Sequence, residues 1–429
     1  MAGRVFLDLT PLRQSRALRL LWAGEAVSTL GSSLTRVAMA FQVFELTRSS
    51  LSVGLLGLAT LVPLLLTSLI GGALADRHDR RLVAAGASVV ASGVPIVLAV
   101  NAALDHPSLA AIYVAAALAG FVQGLGQPSL DSLIPRLVRP DQMTATSALL
   151  ATYGTGAMIL GPLLAGVLLA GAGLAPTYLV DAASWGVTAA CLFAIGPVAA
   201  PCAGDARHVP QVTDEQKPTL RSIVEGIAYL RGRPVLQGTY LVDFVAMFFG
   251  MPLALFPALA LGRFHGDAHT LGYLYAAPAV GAAIVTVASG WASRVERHGL
   301  AITIAALVWG SAIIAFGVLH TLGPALLFLA VAGGADMVSG LFRMTIWGQV
   351  VDDEVRGRLA GLTLLNVNGG PLMGDLEAGA VASWRGPGFS VVSGGIACVI
   401  GTLACALALP AFVRYRAGAP DPAQSPAPS

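Results

Sequence analysis

Long apolar segments dominate this chain, and charged residues gather in the short stretches that separate them. A transmembrane helix requires about 20 consecutive, mostly apolar residues. Segments of that kind lie at 18–45, 52–75, 82–104, 109–132, 146–171, 175–196, 234–260, 270–292, 300–320, 323–346, 359–382 and 387–413. The pattern therefore predicts an all-α polytopic membrane protein with 12 transmembrane helices.

Composition excludes several classes of protein. Of the 429 residues, 56% are apolar and 11% are charged, whereas about 25% of the residues of an ordinary soluble protein are charged. The mean hydropathy is +0.76. The whole chain is therefore not a soluble enzyme, a nucleic-acid-binding protein or a disordered scaffold. Because the sequence has neither a phosphate-binding loop nor a metal-ligand spacing of its four cysteines, we expect no cofactor and no metal.

The distribution of Lys and Arg predicts the orientation in the membrane, since cytoplasmic loops carry an excess of these residues. With both termini inside, the cytoplasmic segments hold 20 of the 25 Lys and Arg residues, and the outside loops hold three. The remaining two, Arg36 and Arg343, lie inside predicted helices. We therefore expect a multi-pass protein of the cytoplasmic (inner) membrane with both termini in the cytoplasm.

The longest interruption of the apolar pattern divides the chain into similar halves. It predicts a six-helix bundle at 1–196, a cytoplasmic linker at 197–220, a second bundle at 221–416 and a disordered tail at 417–429. The apolar residues between Leu220 and Leu230 predict a short amphipathic helix on the membrane surface. Similar charged loops at 75–80 and 292–297 indicate a duplicated bundle, a pattern typical of secondary transporters.

Two motifs carry a resemblance to a known family. The segment 72–81, Gly-Ala-Leu-Ala-Asp-Arg-His-Asp-Arg-Arg, resembles the loop between helices 2 and 3 in the major facilitator superfamily, with Asp79 in place of the usual Gly. The segment 161–166, Gly-Pro-Leu-Leu-Ala-Gly, is similar to the antiporter motif of exporters in that superfamily. Further segments at 256–260, 271–277 and 356–361, with Gly374-Asp375, resemble the enterobactin (siderophore) exporter branch.

The resemblance implies two bundles that move relative to each other around a central cavity. It also implies a conformational latch on the cytoplasmic side, formed by Gly72, Asp76, Arg77, Arg80 and Arg81. For the arginines, simple anchoring by positive charge is the alternative. Gly161, Pro162 and Gly166 form the antiporter motif of helix 5. There, generic packing of small residues is an equally good interpretation.

Polar residues within the predicted helices indicate the transport pathway, because a charge inside a membrane requires a partner or water. In the first helix, Glu25, Thr29, Ser32 and Arg36 share one face. Glu25 lines the pathway or lies solvated near the cytoplasmic interface. Asp336 and Arg343 share a face about 10 Å apart along the axis, so a direct contact between them would need a bend or a bridging group.

The candidate residues fall into two groups. The candidates for the substrate pathway are Arg36, Gln123, Asp243, Arg343, Asn366 and Asn368. The candidates for proton coupling, in order of preference, are Asp375, Asp243, Asp336 and Glu377. Structural ion pairing is the alternative for each acid, and Asp131 is expected to pair with the arginines of the loop. Trp185, Trp309 and Trp347 are predicted to anchor the helices at the membrane interfaces.

Together these features predict a secondary active transporter rather than an enzyme. By resemblance, it is a proton-coupled exporter of a siderophore or a related small organic metabolite. The alternative is multidrug or macrolide-type efflux within the same superfamily, which the low aromatic content of 7% disfavours. The expected partners are the substrate, protons and the lipid bilayer, and we expect a monomer.

Overall fold

The computed structural model describes residues 8–77, 79–196, 220–351, 355, 359, 361–363 and 365–417, and for 69–77 and 220–224 it describes the backbone alone. These residues form helices joined by turns, without a strand in any described range. Ten helical segments among them are long and apolar enough to cross a membrane. In a helix the backbone N–H and C=O groups bond to each other, which is necessary because lipid tails offer no hydrogen-bond partners. The predicted all-α class is confirmed.

Contacts within the chain define two units, and the first comprises Met1–Leu46 and Ala59–Gln211. Its described helices are α1 (Thr10–Gln14), α2 (Arg16–Thr47), α3 (Ser50–Arg77), α4 (Arg80–Ala102), α5 (Leu109–Leu137), α6 (Met143–Gly171) and α7 (Leu174–Ala194). The start of α3, within Thr47–Leu58, groups with the second unit. Leu21, Ala84, Ala85, Leu133 and Leu192 form a buried cluster that joins α2, α4, α5 and α7.

The second unit comprises Thr47–Leu58 and Val212–Ser429. Its further described helices are α8 (Leu220–Leu230), α9 (Pro234–Gly250), α10 (Phe256–Ala258), α11 (Ala268–Val287), α12 (His298–Val318), α13 (Leu322–Val350), α14 (Gly370–Arg385), α15 (Pro387–Ala408) and α16 (Pro410–Val413). A large apolar core, with Leu236, Ile302, Phe342 and Phe412 fully buried, joins α9, α12, α13 and α16. The predicted helix after the linker is present as α8, while 197–219 and 418–429 lie outside the described residues.

Most predicted spans agree with the helices to within a few residues, and the predicted helix at 234–260 is the clearest exception. There α9 ends at Gly250, and a 3-10 turn (Leu253–Leu255), α10 and a π-helical turn (Leu259–Arg263) follow. Pro252 and Pro257 explain the interruption, because proline lacks the N–H that a continuous helix requires. The predicted single helix in this segment is therefore wrong, although the whole stretch still has the length of a membrane span.

Two predicted spans, 18–45 and 359–382, are not among the ten long apolar helices. The first lies within α2, whose polar stripe with Glu25 and Arg36 lowers its hydropathy. The second includes a π-helical turn, Leu365–Gly369, followed by α14. Both segments are helical where the structure describes them. The polar residues of α2 that suggested a transport pathway explain its low hydropathy, whereas α14, with 16 residues, is shorter than a full membrane span.

Candidate functional site

A buried ion pair lies in the second unit between α9 and α13. The side chain of Asp243 is 3% exposed and that of Arg343 is 13% exposed, and Nη1 of Arg343 contacts Oδ1 of Asp243. The second carboxylate oxygen, Oδ2, accepts a hydrogen bond of 2.6 Å from Nδ2 of Asn366. Both oxygens of Asp243 thus have a partner, as a buried carboxylate requires.

Asn366 reaches Asp243 from the π-helical turn Leu365–Gly369. A π-helical turn holds one more residue than an α-helical turn, which changes the direction of the side chains, and such turns occur often at functional sites. Asn366 is 6% exposed, whereas Asn368 is half-buried. The structure therefore brings three predicted pathway residues together, namely Asp243, Arg343 and Asn366.

Arg343 also approaches a second acid on its own helix. Its Nη2 lies 3.7 Å from Oδ1 of Asp336, whose side chain is 40% exposed. The expectation that a direct contact needs a bend or a bridging group is wrong, because helical side chains lean toward the N-terminus and Asp336 precedes Arg343 by seven residues. One guanidinium therefore joins a buried acid to a more exposed one.

An aromatic pair holds α9 against α13 beside the ion pair. Tyr240 stacks on Trp347 with their ring centroids 4.8 Å apart. Trp347 donates a hydrogen bond of 2.9 Å from Nε1 to Oγ1 of Thr239, and the Tyr240 hydroxyl lies 2.9 Å from Oγ1 of Thr363. Tyr240 and Asp243 are about one helical turn apart on α9, and Arg343 and Trp347 are about one turn apart on α13. The cluster fixes the spacing at which Arg343 meets Asp243.

One tryptophan differs from its predicted role at the membrane interfaces. Trp309 is 4% exposed and packs so closely on α9 that a Cβ atom at Gly250 would overlap its indole nitrogen. The prediction that Trp309 anchors an interface is wrong, whereas for Trp347, which is half-buried, it stays a prediction. Sequence alone gives little sign of this, because a tryptophan in an apolar helix suits either location.

Asp375, the preferred proton carrier from sequence, has a backbone partner. Its Oδ1 accepts a hydrogen bond of 2.8 Å from the amide of Ala254. Ala254 lies in the 3-10 turn that follows the end of α9. The carboxylate thus satisfies a donor that the interrupted helix leaves free. Glu377, two residues further along α14, is half-buried.

In the first unit, Arg36 of α2 lies within electrostatic range of Asp181 on α7. Asp181 is 2% exposed, and its Oδ1 accepts a hydrogen bond of 3.2 Å from the Ser184 hydroxyl. The two helices approach closely here, since a Cβ atom at Gly31 would lie 2.6 Å from Oδ1 of Asp181. Each unit thus sets a buried aspartate near a predicted pathway arginine.

Asp181 was not among the residues predicted from the sequence. A signal was present, because Thr177, Asp181, Ser184 and Thr188 follow one another at spacings of four, three and four residues. The same spacing defines the polar face of α2. A polar stripe on α7 that faces a polar stripe on α2 is therefore readable from helical periodicity.

The polar face of α5 has exposed side chains, two of which are joined by a hydrogen bond. Gln123 and Asp131 are both exposed, and Gln127 donates a hydrogen bond of 2.9 Å from Nε2 to Oδ1 of Asp131. Glu25 on α2 has a fully buried Oε1 without a hydrogen-bond partner. The alternative of a freely solvated Glu25 is therefore wrong for that oxygen.

Part of the predicted latch lies outside the described residues. For Gly72, Asp76 and Arg77 the structure describes the backbone alone, so the side chains of Asp76 and Arg77 lie outside the described part of the chain. Arg80 donates to the Ser132 carbonyl at 3.3 Å, and Arg81 donates to the Phe193 carbonyl at 3.4 Å. These bonds tie the start of α4 to α5 and α7. Asp79, which departs from the family pattern, accepts from the Arg81 amide and caps α4.

The predicted antiporter motif lies at a tight contact between α6 and α2. Gly161, Pro162 and Gly166 are all buried. A Cβ atom at Gly161 would overlap the Cβ of Ser33, whereas one at Gly154 on the same helix would meet nothing within 4 Å. Close packing accounts for Gly161, and the hinge role of the motif stays a prediction.

Comparison with known proteins gives matches along nearly the whole chain. The family model of transmembrane secretion effectors matches residues 7–424. The chain is 30% identical to the enterobactin exporter EntS of Citrobacter koseri over 422 residues, which is 98% of both chains. It is 31% identical to the enterobactin exporter EntS of Escherichia coli over 398 residues, which is 91% of this chain and 92% of that protein.

Solved structures establish the fold independently. A bacterial homologue of the human lysosomal transporter Spinster, inward-facing and occupied, matches with a TM-score of 0.73 and 16% identity over 97% of this chain and 99% of that one. The nucleoside transporter NupG matches with a TM-score of 0.66 and 15% identity over 93% and 99%. The predicted major facilitator fold is thereby confirmed.

Proposed function

We propose that this chain, which belongs to the transmembrane secretion effector family, is a proton-coupled exporter of a siderophore or a related small organic metabolite. The 30% identity to an enterobactin exporter over 98% of both chains supports export and this substrate class. The excess of Arg and Lys in the predicted cytoplasmic segments supports an inner-membrane location with both termini inside. The carrier works as a monomer.

The observation that carries the proposal is the position of Arg343 between Asp243 and Asp336. A guanidinium in this setting can exchange one oxygen partner for another, because it offers five N–H donors in a planar fork. Phenolic, carboxylate or hydroxamate oxygens of a chelating substrate are suitable partners. The substrate therefore binds at this pair, where its oxygens accept from Arg343 and a phenolic or hydroxamate hydroxyl donates to the ionised carboxylate of Asp243.

The carboxylate of Asp243 provides the coupling. Its ionised form accepts hydrogen bonds from the substrate and from Arg343, whereas protonation weakens both interactions. On the outer side, a proton adds to Asp243 and favours release of the substrate, while Asn366 and Asp336 remain as partners of Asp243 and Arg343. The empty carrier returns with this proton and releases it on the cytoplasmic side when the next substrate binds. One proton thus moves inward for each substrate that moves outward.

The other candidates have supporting roles in this scheme. Arg36, close to Asp181, is the candidate cation of the transport pathway within the first unit. Gln123 and Asn368 supply hydrogen bonds along the pathway. Glu377 and Asp375 are the alternative proton carriers, and Asp375 ranks below Asp243 because its carboxylate already accepts a hydrogen bond from the Ala254 amide. The latch and the antiporter motif govern the change of conformation.

Uptake into inside-out membrane vesicles under an imposed proton gradient tests the proposal. A catecholate siderophore, a hydroxamate siderophore and a lipophilic cationic drug serve as parallel substrates. We expect siderophore uptake that an uncoupler abolishes and that Asp243→Asn lowers at least tenfold. Asp105→Asn, in an exposed connection before α5, is the matched control. Uptake of the cationic drug alone would identify multidrug efflux instead, and uptake insensitive to the uncoupler would refute proton coupling.

A further inference from the structure

Three helices of the first unit bring ionisable side chains together near the start of α2. Glu25 on α2 has Asp131 of α5 as its charged electrostatic neighbour. Tyr153 of α6 lies within electrostatic range of both acids. Asp131 is exposed, whereas Oε1 of Glu25 is fully buried without a hydrogen-bond partner. The solvent-exposed Asp131 thus lies near Glu25, one of whose carboxylate oxygens is buried.

Among the groups that the structure describes around Glu25, none supplies a cation to it. Trp22, which precedes it by three residues, donates its indole N–H to the Leu149 carbonyl at 2.9 Å and meets Tyr153 edge-on. Cys191 of α7 packs against the neighbouring Gly24. Arg80 of α4 donates to the carbonyl of Ser132, next to Asp131. Among the described residues, the charge that acts on Glu25 is that of a second acid.

Glu25 is half-buried, and its Oε1 is enclosed without a donor. A negative charge on that oxygen is costly, and a second carboxylate nearby adds to the cost. Protonation removes the charge and requires only the addition of a proton from water. We propose that Glu25 and Asp131 form a second proton-binding site, in the first unit, where the exposed Asp131 receives a proton and the enclosed Glu25 holds it. The proton adds to a carboxylate oxygen, and no other bond forms or breaks.

The use of this site in transport rests on the proposed proton-coupled export. Glu25 and Asp131 bind a proton in the first unit, and Asp243 binds one in the second unit. Gln127 donates a hydrogen bond of 2.9 Å to Asp131 and fixes the orientation of that carboxylate. The carrier then holds protons in both units, and loading of the first unit accompanies the return of the empty carrier.

Thermal unfolding of the full-length protein in detergent between pH 5 and pH 9 tests the site without any substrate. Deprotonation of Glu25 creates a negative charge in an enclosed position, so the unfolding temperature of the wild type falls as pH rises. Glu25→Gln mimics the protonated acid, and we expect it to flatten this dependence. Glu296→Gln, at an exposed glutamate, is the matched control and should retain the wild-type slope. Equal slopes in wild type and Glu25→Gln would overturn the proposal.

Asp131→Asn is the second variant and tests the site if Glu25→Gln does not fold. Because it removes the neighbouring charge, it should also flatten the pH dependence, by less than Glu25→Gln. Replacing choline chloride by sodium chloride should leave the unfolding temperature of the wild type unchanged. A sodium-dependent increase that Glu25→Gln abolishes would identify a cation site and overturn the assignment to a proton.

Transport in inside-out vesicles separates this inference from the proposed function. We expect Glu25→Gln to lower accumulation against a substrate gradient at least fivefold while substrate exchange without a gradient stays within twofold of wild type. If the wild type itself ignores the proton gradient, the proposed function fails, whereas the unfolding experiment still decides whether the site binds a proton. If Glu25→Gln accumulates substrate as wild type does, the coupling role of the site is refuted.

Discussion

The guanidinium of Arg343 contacts the carboxylate of Asp243 inside the second unit, where their side chains are 13% and 3% exposed. A pair this deeply buried has little water to replace a missing partner. Removal of one member leaves the other charged and unsolvated, whereas removal of both leaves neither charge behind. The two single variants and the double variant therefore have different consequences for stability.

Arg343→Met should destabilise the protein by about 3–5 kcal/mol, because it leaves Asp243 buried and charged. The double variant Arg343→Met/Asp243→Asn should recover most of this loss. Unfolding in detergent measures both, at a pH where carboxylates are ionised. Arg139→Met provides the control, since Arg139 and Asp141 form an exposed pair with side chains 66% and 67% exposed, which contributes about 0–1 kcal/mol. Additive losses in the double variant would contradict a direct pair.

Asp375 offers a test that separates hydrogen bonding from proton carriage. Asp375→Asn keeps an oxygen that can accept from the Ala254 amide, whereas Asp375→Ala removes it. We expect the alanine variant to lose about 1–3 kcal/mol of stability and the asparagine variant to remain stable and to accumulate substrate. Stability and vesicle uptake are measured for both. A stable Asp375→Asn that exchanges substrate but cannot accumulate it would make Asp375 the proton carrier instead.

The contact of α6 with α2 predicts opposite effects of one substitution at two glycines of the same helix. Gly161→Ala should destabilise the protein, because the new Cβ overlaps that of Ser33. Gly154→Ala meets nothing within 4 Å, and a helical alanine is favoured over glycine by about 1 kcal/mol. Unfolding temperatures give the comparison.

Ser33→Gly combined with Gly161→Ala removes the overlapping atom and should restore stability relative to Gly161→Ala alone. A restored double variant that still transports poorly would point to the hinge role of the motif. Equal unfolding temperatures for Gly154→Ala and Gly161→Ala would show that the tight contact is absent in solution.

Asp267 caps α11 and gives a prediction about pH. Hydrogen bonding from the His269 side chain lowers the pKa of Asp267, and backbone amides of His269 and Thr270 contribute in the same direction. A lowered pKa means that the ionised form is stabilised in the folded protein. Ionised Asp267 therefore contributes to the stability of the folded protein at pH values above its pKa in the unfolded chain. This contribution is lost as pH falls through its pKa in the folded protein.

Asp267→Ala should lower stability by about 1 kcal/mol near neutral pH, the usual value of a helix cap. The difference from wild type should shrink as the solution becomes acidic enough to protonate the carboxylate. Unfolding temperatures at neutral and acidic pH measure the effect, with Asp105→Ala as the exposed control. A difference that stays constant with pH would show that the charge of Asp267 does not contribute.

The sequence predicted the helices well because lipid imposes a simple rule. Each span requires a long apolar run, and interruptions by Arg and Lys mark the cytoplasmic side. The interruption after Gly250 was not predicted, since proline is tolerated in some membrane helices and breaks others. The position of Asp375 against Ala254 depends on that break, so its role could not be read from the pattern.

The candidate site was predicted in part for a related reason. A charge inside a span is conspicuous, so Arg343, Asp243 and Asp336 were identified as residues in need of partners. Which residues satisfy them depends on contacts across distant segments, such as the bond between Asp243 and Asn366, 123 residues apart. The π-helical turn that directs Asn366 has no sequence signature. Asp181, by contrast, had a readable signal in the polar spacing of α7.

The most direct test of coupling at Asp243 is proton exchange by the purified protein when substrate binds. A catecholate siderophore is added to the detergent-solubilised protein in a weakly buffered solution, and the change in pH is recorded. If substrate binding requires ionised Asp243, the wild type releases a proton on binding at a pH where part of these carboxyl groups is protonated, and Asp243→Asn binds without this release. Binding by the wild type without a change in pH, or equal release by Asp243→Asn, would contradict coupling through this residue.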